Sequence, residues 1–269
     1  MSALQQVRQW PVKNASAAVI ADGRVEKTGD TNRLFRLASV TKPVATWGFL
    51  IAVEEGVFEL DDPLGPEGST VRHLLAHASG VPMDSREAER APEERRIYSS
   101  AGFEILAEAV EEGSGMWFSE YLKEAVFDQL GMDNTELYGS AGHHMTSTVE
   151  DLTTFLQEVL DPQLLHSSTV EETFTVQYPD LDGIVPGYGR QRPCPWGLGF
   201  EMRGQKDPHW TGPSMPEDVA GHFGQFGTYI WAHRPTQRAM VALTDRNFGP
   251  WAKPLWAETN DAIWQELER

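Results

Sequence analysis

Cysteine and lysine are scarce in this 269-residue chain, and long apolar runs are absent. The single cysteine, Cys194, excludes an intramolecular disulfide and a thiolate zinc cluster. It sits in the Pro-rich stretch QRPCPWG with no base beside it and reads as an ordinary thiol. No run reaches the roughly eighteen apolar residues of a membrane span. The N-terminal MSALQQVRQWPVKNAS lacks the apolar core of a secretory signal, so a cytoplasmic protein is the expectation. Positive charge is also short: Lys and Arg total 22 against 40 Asp and Glu, a net charge of −18. Such a surface repels nucleic acid and anionic membrane, and it discourages anionic substrates unless a local cation captures them. Neither nucleic acid nor membrane is therefore expected as a partner.

Several mechanisms are missing as well. There is no G-x-S-x-G elbow, no G-x-x-x-x-G-K and no H-E-x-x-H. The glycine-rich GHFGQFG, residues 221–227, lacks the strand–G-x-G-x-x-G–helix setting of a dinucleotide site. His143 and His144 form the one adjacent histidine pair, and neighbours on a strand would point to opposite faces. No metal and no cofactor are expected.

What is present is an ordinary globular composition, 40% hydrophobic and 23% charged, with ample length for a core. A short helix is predicted over Leu4–Trp10, and a hairpin over 17–28 turns at Asp22-Gly23. Phe35–Leu37 reads as a strand leading into a helix that contains Ser39 and stops at Glu55-Gly56. Further helices are predicted over Thr70–Ala76, Ala101–Glu112 (capped by Ser99), Met116–Phe127, Ser147–Leu160 and, more weakly, Leu165–Val176. The charge-dense DSREAERAPEERR, residues 84–96, reads as solvated surface. Strands follow over Gly197–Met202, Thr228–Ala232 and Ala239–Thr244, and a helix over Pro254–Leu267 closes the chain. The order predicts an α+β fold, an antiparallel sheet flanked by terminal helices with an all-helical lobe inserted. It is read as one domain over 1–269, its α/β lobe spanning about 1–60 and 190–269 and its helical lobe about 61–189.

The chemistry centres on FRLASVTKPVATWGFL, residues 35–50. Ser39 and Lys42 stand three apart, a spacing that puts both on one helix face, so the amine can serve as base for the hydroxyl. Backbone N–H groups at a helix start would stabilise an oxyanion. With six lysines in the chain, one S-x-x-K is a coincidence of roughly one in three, and the bland alternative is an N-cap serine beside a solvated lysine. Tyr98 stands at a loop-to-helix junction and would act as acid or base if a cation such as Lys42 lowered its pKa; packing is the alternative. His222, among glycines, is placed to hydrogen-bond a phenol or a substrate. His73 and His77, beside Leu74-Leu75, read as structural.

Together and in order, FRLASVTK, LDDPL, TVRHLLAHASGVP, YSSAGFEILAEAVEEGSG, VFDQLGM, WGLGF and AGHFGQFGTYIW resemble the class C β-lactamase-like serine hydrolases. These include penicillin-binding-protein-type peptidases, D-aminopeptidases and esterases of β-lactamase/transpeptidase-like fold. The resemblance runs from about Asn14 to Thr244. It implies that Ser39 is the acylated nucleophile, Lys42 its partner base and Tyr98 a proton relay. It places His222-Phe223-Gly224 where lactamases carry K-T-G, and implies an oxyanion hole from the backbone N–H groups of Ser39 and Gln225.

Two departures bear on substrate. Ser100 replaces an asparagine that usually meets the acyl amide, and His222 replaces a lysine that would anchor a β-lactam carboxylate. With the acidic surface, they favour small neutral esters or amides. Trp196 is expected to join Ser100, Phe223 and Gly224 around the substrate. The expectation is an esterase working through an acyl-enzyme. The alternatives are a D-amino-acid peptidase or weak β-lactamase, and a non-catalytic scaffold of the same fold.

Overall fold

A computed structural model describes every residue, Met1–Arg269. Eleven strands and eight α-helices follow in chain order. After a 3-10 helix at Ala3–Gln9 come β1 (Ala15–Ala21), β2 (Arg24–Thr28) and β3 (Phe35–Arg36). Then follow α1 (Thr41–Glu54), α2 (Val71–Leu75), α3 (Ala101–Ser114), α4 (Phe118–Leu122) and α5 (Asp128–Leu130). Next are β4 (Glu136–Leu137), β5 (Met145–Ser147), α6 (Val149–Leu160), α7 (Ser167–Thr173), β6 (Gly183–Val185) and β7 (Gly189–Gln191). The chain ends with β8 (Glu201–Met202), β9 (Ala220–Gly224), β10 (Thr228–His233), β11 (Arg238–Thr244) and α8 (Ala252–Leu267).

The main sheet has six strands in the order β2-β1-β11-β10-β9-β8, each pair antiparallel. Alternation along a strand sends successive side chains to opposite faces, and here both faces are covered. Ala18, Val241, Ile230 and His222 are paired across β1, β11, β10 and β9, which sets them in one row on one face. The apolar members of that row belong to a core of 47 buried residues shared with α1, α3 and α6. The neighbouring row, Ala17, Ala242, Tyr229 and Phe223, faces a second core of 22 residues under the N-terminal 3-10 helix and α8. The β1–β2 hairpin turns at Asp22 and Gly23, both at positive φ (52° and 69°), as a D-G turn requires.

Helix α1 is buried all round from Thr41 to Ala52, which fits a central helix rather than an amphipathic surface one. Helix α3 starts where Ser99 Oγ accepts from Gly102 N at 2.8 Å and ends at Gly115 in the left-handed region. The inserted segment is mainly helical, but it also carries the β6–β7 ladder and the strands β4 and β5, of which β5 pairs with both β4 and β3. These strands are two or three residues long, too short to show a period in sequence.

Three local expectations are corrected. Ser39 is not in the α-helix but in a 3-10 turn, Ala38–Val40, just before it. Residues 197–200 are not strand; only Glu201–Met202 pair, and Gly199 adopts φ 71°. The GHFG segment is itself β9, an interior strand whose glycines and histidine hide its strand character. No helix is long and apolar enough to cross a membrane.

Candidate active site

The Ser39 turn is held from two sides. Leu37 N donates to Met145 O at 2.8 Å, and Thr228 Oγ1 donates to Leu37 O at 2.7 Å. Ala38 sits at φ 50°, in a region an L-residue with a Cβ enters at a cost of about 1–3 kcal/mol. Gly224, at the end of β9, lies so close that a Cβ there would stand 2.3 Å from Leu37 O and 3.2 Å from Ala38 Cβ. Gly224 thus brings the β9–β10 turn, with Gln225 as its next residue, against the segment that carries Ser39. The turn closes by Gly227 N donating to Gly224 O at 3.0 Å, and Phe248 N donates to Gln225 O at 2.8 Å. Ser39 itself is partly exposed, so its hydroxyl is reachable from solvent.

Lys42 is wholly buried, not a solvated first-turn lysine. Its Nζ lies 2.8 Å from Tyr98 Oη, 3.0 Å from Ser100 Oγ and 2.8 Å from Gly142 O. No carboxylate pairs with it; Glu104 and Asp84 act only at a distance. Burial therefore dominates and lowers its pKa to about 7. None of its hydrogen bonds goes to Ser39, which lies near enough to the Tyr98 phenol to oppose the rise in its pKa. The direct Ser39–Lys42 contact read from spacing is thus absent, and Lys42 is bonded to Tyr98 instead.

Tyr98 departs from expectation in its protonation. Its hydroxyl shares the dry interior with Lys42, and burial raises its pKa, against a smaller lowering from Ser39. Both partners are driven toward their neutral forms, so the phenol keeps its proton. The ring packs against His77, His222 and Trp196, with centroids 4.7, 5.6 and 6.0 Å away.

His222 reaches the site because its row on β9 faces the α1 side. Its Nδ1 lies 2.7 Å from Phe223 O, an acceptor only, so Nδ1 carries the hydrogen and Nε2 presents a lone pair. Nε2 is buried without a partner. Desolvation, with Lys42 nearby, lowers the His222 pKa to about 3, so the ring is neutral. Where the resemblance leads one to expect a cation, the site holds an acceptor.

The remaining expected residues divide. Ser100 is buried, its hydroxyl turned to Lys42. Trp196 is 5% exposed and packs behind the rings of His222 and His77 rather than facing the opening. Phe223, expected beside substrate, alternates to the other sheet face and packs against Phe248 and Trp256, leaving only its backbone on the site side. Cys194 is buried, and its carbonyl accepts from Arg96 Nε at 3.0 Å.

Sequence reasoning missed three contributors. Gly142 O holds Lys42 through backbone alone, which leaves no side-chain signal. Thr228 buttresses the Ser39 turn from 191 residues away, through Leu37 O. His77, at φ 55°, accepts Ser99 N at its Nδ1 and wedges between Tyr98 and Trp196; its place in HASGVP was visible, its contact with Tyr98 was not. Behind this layer, Lys206 and His209 pair with Glu201 in full burial. Desolvation pushes the Glu201 pKa up, but the two partners more than offset it and hold the carboxylate ionised.

Comparison with known proteins places this geometry. A crystal structure of a beta-lactamase from Mycobacterium bovis superposes with a TM-score of 0.97 at 50% identity, covering 98% of this chain and 99% of that one. D-amino acid amidase from Ochrobactrum anthropi SV3, solved with D-phenylalanine, shares the fold at TM-score 0.81 and 18% identity over 99% of this chain and 97% of its own. Penicillin-binding protein 4* of Bacillus subtilis is 30% identical over 141 residues, 40% of this chain and 31% of that protein. The chain spans only about a third to a half of the length of the curated relatives it matches. Residues 5–262 match the Beta-lactamase family model. The chain belongs to the beta-lactamase family of serine hydrolases, whose fold also serves penicillin-binding proteins and D-amino acid amidases.

Proposed function

We propose that the protein hydrolyses small esters, and amides more slowly, through an acyl-enzyme on Ser39. The observation that carries this reading is the buried, unpaired Lys42 joined to Tyr98 at 2.8 Å, with a pKa lowered to about 7. Burying an amine without a carboxylate costs several kcal/mol. Catalysis gives a reason to retain it, and a non-catalytic scaffold gives none.

In the proposed cycle, Ser39 Oγ attacks the substrate carbonyl while its proton passes to Tyr98 Oη, whose own proton moves to neutral Lys42 Nζ. The backbone N–H groups of Ser39 and Gln225 would receive the oxyanion. Collapse breaks the bond to the leaving group, which takes the proton back through Tyr98. Water then attacks the acyl-enzyme by the same relay, releasing the acid and restoring Ser39. His222 Nε2 would accept a hydrogen bond from the phenol or from a substrate N–H or O–H. With no cation at His222, this wall of the site does not require an anionic substrate.

A second reading, β-lactam hydrolysis, is favoured by the 50% identical relative described as a beta-lactamase. One experiment separates the two: turnover of p-nitrophenyl butyrate and of nitrocefin by the wild type and by Ser39→Ala. The expected result is ester hydrolysis that falls at least about a thousandfold in Ser39→Ala, with nitrocefin barely touched. Rapid nitrocefin turnover would establish the second reading. Ester hydrolysis that survives the substitution would remove Ser39 as nucleophile.

A further inference from the structure

Six large hydrophobic side chains stand exposed on this protein, and two of them, Trp117 (68%) and Tyr138 (46%), open on one cleft of about 470 Å³. The cleft lies between α3, the start of α4 and the segment that follows β4. Leu137, Phe118 and Ala141 give it a buried apolar lining. None of Ser39, Lys42, Tyr98 or His222 lines it.

The tyrosine ring is held in place. Tyr138 stacks on His144, with centroids 5.2 Å apart and planes 27° from parallel, and His144 Nδ1 accepts from Ser140 N at 3.1 Å. One member of the histidine pair thereby acquires a role, which is to orient an exposed tyrosine. Trp117 leads directly into α4, whose first residue is fixed to α3 by Phe118 N donating to Glu111 Oε1 at 2.9 Å.

Carboxylates supply the rest of the wall. Glu104, Glu108 and Glu111 all line the cleft, and their spacing puts them on one face of α3. Arg86, the one cation of the lining, is committed to Glu108 through two guanidinium nitrogens. Glu104 and Glu111 are half-buried, and each is met only by a neutral donor: Ser140 Oγ at 2.6 Å for Glu104, Phe118 N for Glu111. Three carboxylates against one guanidinium leave the lining with an excess of two negative charges beside two aromatic rings.

A cationic head group with apolar substituents matches both features, because ring faces attract positive charge and the carboxylates neutralise it. The volume is that of a small-molecule site, whereas a stable protein partner needs a contact of about 800 Å² on each side. We propose that the cleft walled by Trp117, Tyr138, Glu104 and Glu111 binds a small alkylated ammonium ion of the choline type. The site is separate from the Ser39 chemistry and does not depend on it.

The test is calorimetric titration of the whole protein with choline and with 3,3-dimethylbutan-1-ol, its uncharged isostere. Choline should bind at least about tenfold more tightly than the alcohol. Trp117 is exposed, so Trp117→Ala should fold normally and weaken choline at least about fivefold. The double variant Glu104→Gln, Glu111→Gln keeps an acceptor for Ser140 Oγ and for Phe118 N; it should weaken choline about threefold or more, as should added salt. In a proton–nitrogen correlation spectrum, the indole signal that Trp117→Ala removes should be the one choline shifts most. No choline binding, or binding of the two ligands within about twofold of each other, would overturn the proposal. So would choline binding that Trp117→Ala leaves unchanged. Ser39→Ala should bind choline like the wild type; loss of binding there would move the ligand to the reacting groups and sink the proposal. Failure of the hydrolase reading would leave all these titrations as they are.

Discussion

A lysine whose amine has three neutral partners and no counter-charge is held near the pH at which it changes role. With a pKa of about 7, Lys42 is a neutral base above that pH and a protonated bystander below it. Its folded pKa is depressed, so the active form is gained as pH rises and lost as pH falls. For an uncharged ester, kcat/KM is expected to climb close to tenfold per unit from pH 5 to 6.5 and to level off above about 7.5. A stopped-flow or spectrophotometric profile between pH 5 and 9 checks this, and a flat profile would remove Lys42 as the base. His222, lowered to about 3, contributes no limb in that window. At this scale Ser39, Lys42, Tyr98 and His222 were legible in the sequence as candidate site residues. Their protonation was not, because it depends on burial by side chains far away in the chain. The expectation that Lys42 lowers the Tyr98 pKa fails for that reason: desolvation disfavours charge on both groups.

Among the elements, the join between the Ser39 turn and the β9–β10 hairpin is the decisive one. Thr228 Oγ1 donates to Leu37 O, one residue before the strained Ala38, and Gly224 permits the approach. Thr228→Val keeps the shape but leaves Leu37 O without that donor. Stability is expected to fall by about 1–2 kcal/mol, read by urea unfolding. kcat is expected to fall roughly tenfold with little change in KM, because a small displacement of Ser39 harms chemistry more than binding. An unchanged kcat would show that the turn holds its geometry without the threonine. The helices and the β1–β2 hairpin were legible because caps, D-G turns and apolar periods are local signals. The strand β9 was not: its AGHFG lacks β-branched residues, and its place inside the sheet is set by the strands on either side.

For the molecule as a whole, the terminal helix clamps the sheet whose other face carries the site. Asn260 on α8 is fully buried; its Oδ1 accepts from Tyr229 Oη and Trp231 Nε1, both at 3.0 Å, and its Nδ2 donates to Trp210 O at 3.2 Å. Asn260→Ala would strand buried donors on β10 and is expected to cost about 2–4 kcal/mol. Thermal unfolding should show the loss, while KM for a neutral ester at low temperature should stay within twofold, since Asn260 lies across the sheet from Ser39. A large KM change in still-folded protein would mean that the two faces are coupled more tightly than this packing implies. The two-sided core also explains a misreading: Phe223 and His222 are neighbours in sequence, yet Phe223 packs into the second core while His222 stands in the row that faces the first, so only the histidine side chain meets the site.

The sequence by itself determined the family and the α+β architecture, and it named the side chains proposed to react. Each of these rests on residue order, on local turn and cap chemistry, or on motifs a few residues long. Tertiary structure alone decided which groups are dry, which are paired and which face the opening. The Lys42 pKa is lowered by burial among distant segments, and Gly142 contributes only a carbonyl. Desolvation and pairing depend on every neighbour in space, and no spacing along the chain encodes them.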